Sequence, residues 1–163
     1  MAKLKDDELK ELFIKIVRPY EEDIKTRKKK IISYVGKHEK YIETLINLKT
    51  VGEKEFKKGI SKNSQANTFI FYQKAKEGLL ISFIKHLRNC VAHCSIDSKK
   101  NASYQFQDMD KNKCCSMFGN IDVEKLHTLM EYIHNESKRL NTKSKSTKKR
   151  NQRLSLNNNI TNK

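Results

Sequence analysis

No stretch of 18 apolar residues occurs in this 163-residue chain, so the sequence offers no membrane-spanning helix. The opening "MAKLKDDELK" has no apolar run ahead of a small-residue cleavage site, so no secretory signal is expected and the chain reads as cytoplasmic. Neither an internal repeat nor a glycine-rich nucleotide motif is present. The four cysteines form no C-x2-C knuckle, which argues against structural zinc, and in a cytoplasmic chain they are reduced thiols rather than a disulfide framework. The expectation is therefore no metal and no cofactor. Acidic residues are missing altogether from Ser137 onward.

What is abundant is positive charge: 35 Lys and Arg against 19 Asp and Glu, a net +16. Nine of those bases lie in "SKRLNTKSKSTKKRNQRLSLNNNITNK", and the rest of the chain is also net positive, so both parts favour polyanions such as RNA. That final segment holds four scattered aliphatics, too little apolar surface to offset the entropy of ordering. It reads as a disordered basic tail, residues 137–163, after one domain over residues 1–136. Its basic side chains would bind phosphate without reading sequence, or serve only as a solubilising extension. The run "KTRKKK" at 25–30 projects charge all round a helix, which suits a solvated face or an RNA contact.

The domain is dominated by helical periodicity. Leu9, Leu12, Phe13, Ile16 and Val17 form one stripe, after which Pro19 either ends that helix or opens the next. A second helix is expected from about Tyr20 to Leu48. "TVGEKEFKKGISKNS" reads as a loop, and a long central helix follows from about Gln65 to Cys94. "ASYQFQDMDKNKCCSMFGN" alternates at Tyr104 and Phe106, turns through a polar segment and returns through Cys115 and Met117, the pattern of a short hairpin. Asp122 then caps a last helix with Val123, Leu126, Leu129, Met130 and Ile133 inward. The fold expected is all-α: four helices in a bundle, with a small hairpin before the last.

The central helix contains "FIKHLRNCVAHCSI". At 100° per residue, Leu80, Phe83, Ile84, Leu87, Val91 and Cys94 share one face, and Ser82, Lys85, His86, Asn89 and His93 the opposite one. Arg88 sits on the flank of the apolar arc, where a guanidinium needs a partner. An intramolecular salt bridge to an acid of the first two helices is one answer; a phosphate is another. His93 suits a helix C-terminus, whose dipole and carbonyls favour a histidine there. The apolar residues span more of the circumference than one packed face requires, so a second copy of the chain is expected against this helix. Cys90 and Cys94 read as small core residues.

"LRNCVAH" resembles the Arg-polar-x3-His signature of the HEPN superfamily, with Asn89 as the polar residue. The resemblance implies an antiparallel four-helix bundle over most of residues 1–136, with the motif near the end of the third long helix. It also implies a homodimer with facing motifs and, in many members, a metal-independent endoribonuclease of toxin or antiphage systems. Such cleavage needs a base for the 2′-hydroxyl, an acid for the leaving oxygen and positive charge on the phosphorane. Two copies of His93 supply base and acid, Arg88 clamps the phosphate, and Asn89 orients the imidazole or the substrate. Lys85 and His86 are secondary substrate-binding candidates, although a solvated surface histidine is the plainer reading of His86. Cys94 stands where many members have Gly, and Ser95 where toxins silenced by a partner nucleotidyltransferase often carry Tyr. A cognate antitoxin or nucleotidyltransferase is the partner such systems imply. The other functional class is a catalytically silent HEPN module binding nucleic acid, nucleotide or a protein through the same groove; a third is a structural helical interaction protein.

Overall fold

The computed structural model describes residues 2–24, 35–60, 65–73, 78–99 and 102–136. The "KTRKKK" run and the basic tail lie outside them.

The all-α expectation is overturned: a six-stranded mixed sheet runs through the domain. Its strands are β1 (Ala2–Lys3), β2 (Asn47–Val51), β3 (Thr68–Tyr72), β4 (Ile96–Lys99), β5 (Ser103–Met109) and β6 (Cys115–Asp122), in the order β1-β4-β5-β6-β3-β2. Among the described residues, only the β2–β3 pair is parallel. The hairpin legible in the alternation is the β5–β6 pair, and it forms part of the body of this sheet.

Two segments expected to be helical or loop account for the error. "TFIFY", placed inside the long central helix, is β3, paired on both sides by β2 and β6. Aromatic and β-branched residues favour a strand, and one whose two faces are both apolar, Phe69 and Phe71 on the buried side and Ile70 and Tyr72 on the half-buried side, lacks the polar alternation that distinguishes it from a helix. "NLKTV" is an edge strand with little apolar character of its own, fixed by its register against β3.

The central helix is shorter than expected, covering Leu79–Ala92. Helix α1 (Asp6–Leu12) continues through wide π-helical turns at Phe13–Val17 and Tyr20–Ile24, and so passes through Pro19 instead of stopping there. Proline lacks a donor and its ring crowds the preceding carbonyls, a conflict that wider turns relieve. Arg18 accordingly donates its backbone N–H to the Phe13 carbonyl, five residues back. Helices α2 (Val35–Leu45), α3 (Glu53–Lys58), α4 (Leu79–Ala92) and a fifth, α5, helical over 123–136, complete the domain.

Leu12, Ile16 and Val17 of α1, Ile42 of α2, Phe83 and Leu87 of α4 and Leu126, Leu129 and Ile133 of α5 share one core with Phe69, Phe71, Phe106, Met117 and Ile121 of the sheet. Phe13, expected in the α1 stripe, is 51% exposed. A smaller cluster of Ile60, Cys115 and Phe118 covers the other sheet face with Phe56 of α3. Lys15 bridges Glu11 and Glu131 and so ties α1 to α5. Tyr104 of β5 donates to Glu8 of α1 at 2.8 Å.

At the crossing of β3, β5 and β6, Gly119 pairs with Phe69 on one side and Phe106 on the other. A β-carbon there would lie 2.2 Å from the Phe69 ring and 2.7 Å from the Thr68 carbonyl. Gly119→Ala should therefore destabilise the domain by about 3 kcal/mol, since neither the central ring nor the strand backbone can give way; urea unfolding measures it.

Burial, followed by the bond to Glu8, pushes the Tyr104 hydroxyl up from 10.0 to about 12. A group whose folded value is raised stabilises fully below the unfolded value and loses that contribution as pH rises through the folded one. Stability should therefore fall as pH rises from 10 towards 12, and Tyr104→Phe should flatten that part of the profile in unfolding experiments on either side of pH 10.

Candidate functional site

Helix α4 is buried on more than one side. Besides the expected apolar face, Ser82 and His86 are enclosed, at 1% and 8% exposure. The opposite face is thus no solvated surface, and the physical reason is β5. The alternation that carries Tyr104 and Phe106 inward also carries Asp108 inward, to 3% exposure, against α4. By its polarity alone, Asp108 belongs to the polar turn "DMDKNK".

The Asp108 carboxylate meets two donors of α4. Its Oδ2 accepts from His86 Nδ1 at 2.7 Å and from Asn89 Nδ2 at 3.1 Å. His86 Nε2 lies 3.0 Å from the Tyr72 carbonyl at the end of β3. Both imidazole nitrogens therefore face oxygen atoms. Burial, and then the Asp108 charge, push the Cys90 thiol well above its ordinary value, so it stays a protonated core residue as expected.

Asn89 continues the chain of contacts. Its Oδ1 accepts from Arg88 Nη1 at 3.1 Å, and Arg88 Nη2 pairs with Glu21 Oε1 of the first helix at 2.6 Å. Arg88 Nε is buried without a partner among the described residues, while the side chain as a whole is 30% exposed. Asn89 thus touches both Asp108 and Arg88. Lys85 is half-buried on the same helix.

His93 is exposed, just past the last turn of α4. It lines a cleft of about 370 Å³ with Ser95, Asp108, Met109, Asp110 and Lys111. The structure thus joins Arg88, Asn89 and His86 through Asp108 and sets His93 at the cleft that Asp108 also lines. Among the described residues, no group of three or more His, Cys, Asp or Glu side chains is placed to hold a metal ion. No helix of the described residues is long and apolar enough to cross a membrane.

A protein-family model described as HEPN pEK499 p136 matches residues 9–155. The chain belongs to this HEPN family. The match includes the α4 segment just described and the first part of the basic C-terminal segment. No curated protein and no solved structure matches the chain.

In this HEPN domain the helix carrying Arg88 ends without glycine. Cys94, expected in the apolar core, is exposed and adopts a left-handed conformation, φ 51°. The Ser95 N–H bonds the Cys90 carbonyl at 2.8 Å and the Cys94 N–H bonds the Val91 carbonyl at 3.2 Å, the paired contacts of a Schellman ending. The turn forms although the residue at its left-handed position carries a β-carbon, a conformation that costs a non-glycine residue about 1–2 kcal/mol. Cys94→Gly should therefore raise stability by about 1 kcal/mol, less glycine's greater entropy loss on folding, and lift the thermal midpoint by a few degrees.

Proposed function

We propose that this HEPN domain is a metal-independent endoribonuclease of a toxin or antiphage system that works as a homodimer. HEPN domains are commonly ribonucleases or nucleotide-binding modules in defence and toxin systems. The observation that carries the reading is a part-exposed Arg88 in the last turns of α4 and an exposed His93 just past its end, on a chain of net charge +16.

Each residue suits its part. His93 is accessible to solvent, and an imidazole can accept or donate a proton, so one copy can take the 2′-hydroxyl proton while another protonates the leaving 5′-oxygen. Arg88, already aimed by Asn89, supplies planar donors to the phosphate oxygens as charge accumulates. Lys111 beside His93 adds attraction for the backbone. The exposed apolar pair Phe13 and Ile14, at 51% and 40%, gives a second copy an apolar surface to bury on the helix that carries Glu21.

The Arg88–Glu21 pair favours the second reading, a silent module that binds nucleic acid, nucleotide or a protein such as a cognate antitoxin or nucleotidyltransferase. Magnitude weighs against it. Both side chains are about a third exposed, at 30% and 32%. Such pairs contribute about 0–1 kcal/mol, which an incoming phosphodiester can offset. His86, buried, enters this reading as a support, while half-buried Lys85 stays a secondary substrate-binding candidate.

Purified protein incubated with structured and single-stranded RNA in excess chelator should release products ending in 2′,3′-cyclic phosphate. His93→Ala and Arg88→Ala should each lower the rate by about 100-fold or more while retaining the circular dichroism of the parent. Folded protein that binds RNA without turnover establishes the silent module instead.

A further inference from the structure

We infer that Asp108 and His86 are positioning residues that aim Arg88, and that the cleft beside Asp108 is built onto the same support. The inference rests on the reading of Arg88 and His93 as an RNA site.

An ionised carboxylate only accepts hydrogen bonds, so Asn89 must turn its Nδ2 towards Asp108. Its carbonyl oxygen is then fixed on the other side, where it meets Arg88 Nη1 at 3.1 Å. Asp108 thereby dictates an amide orientation, and the amide dictates where one edge of the guanidinium lies. Glu21 holds the other Nη nitrogen, so the plane of Arg88 is defined at two points.

His86 completes the support. With Nδ1 on Asp108 and Nε2 on the Tyr72 carbonyl, it ties α4 to β5 and to the end of β3 at once. Phe71 packs beside its ring, with centroids 5.7 Å apart. Burying such a pair is a poor route to stability, because desolvation offsets most of the attraction. What it supplies is direction: rigid elements, with fixed rotamers, hold a functional group through one intermediate side chain. Asp108 also lines the cleft that contains His93 and Lys111, so one carboxylate sets the relation between Arg88 and that cleft.

The test uses the full chain with Asp108→Ala, Asp108→Asn and Asn89→Ala. The first readout needs no RNA: the guanidinium NMR signals of Arg88, resolved in the parent by slow rotation of a held group. They should collapse to those of a freely rotating arginine in Asp108→Ala and Asn89→Ala and be largely retained in Asp108→Asn, whose carbonyl still accepts. The second readout is RNA cleavage, in which kcat should fall on the order of tenfold to a hundredfold in Asp108→Ala, with KM nearly unchanged and partial rescue by Asp108→Asn. Unchanged Arg88 signals and kcat in a folded Asp108→Ala, with only the melting temperature lowered, overturn the inference. If Asp108→Ala does not fold, Asn89→Ala decides it: Arg88 signals as sharp as the parent's overturn it and collapsed ones support it. If the parent cleaves no RNA, the ribonuclease reading fails, and the Arg88 signals alone still decide the positioning role.

Discussion

A carboxylate enclosed between a strand and a helix must be met by donors, because an unpaired buried charge costs several kcal/mol. Asp108 is such a group, and the way it is satisfied organises the domain around it. His86 and Asn89, three residues apart on α4, reach the same oxygen from neighbouring turns. Their polar edges would otherwise oppose burial; with Asp108 present, α4 can lie against β5 along a flank that is not apolar. The same contact sets the rotation of α4 about its axis, and with it the direction in which Arg88 leaves the helix.

The sheet makes that carboxylate available at the right depth. β5 runs between β4 and β6, and its inward positions alternate through Tyr104, Phe106 and Asp108. The first two anchor the strand, Tyr104 to Glu8 of α1 and Phe106 edge-on to Phe69. The third reaches the end of α4, where the helix stops at the left-handed Cys94 and leaves His93 exposed beside the hairpin loop. Helix termination, strand register and the buried His86–Asp108 contact thus converge on the residues through which this HEPN domain is proposed to act.

The charge of the molecule and the geometry of the site are separate contributions. A net +16 attracts any polyanion and says nothing about chemistry. What gives the cationic surface a possible point of reaction is an arginine aimed through Asn89 and a histidine exposed at the adjacent helix end. The Arg88–Glu21 pair belongs to both descriptions: it holds the guanidinium in place, and it is exposed enough for phosphate to compete.

The sequence by itself determined the local patterns: the apolar stripe of α4, the period-two alternation that makes the β5–β6 hairpin, the inward set of α5, and the spacing of Arg88, Asn89 and His93. Periodicity and residue type act over a few neighbours, so they survive in the linear chain. Asp108 was partly legible, since it continues the Tyr104–Phe106 alternation, but its polarity assigned it to the turn. Only the tertiary structure decided that "TFIFY" is a strand, that "NLKTV" pairs parallel to it, that His86 is buried, and that Asp108 stands between Asn89 and the cleft. Each of these depends on a partner distant in the chain: a strand apolar on both faces shows no alternation, and a polar residue goes inside only where another segment supplies its hydrogen bonds.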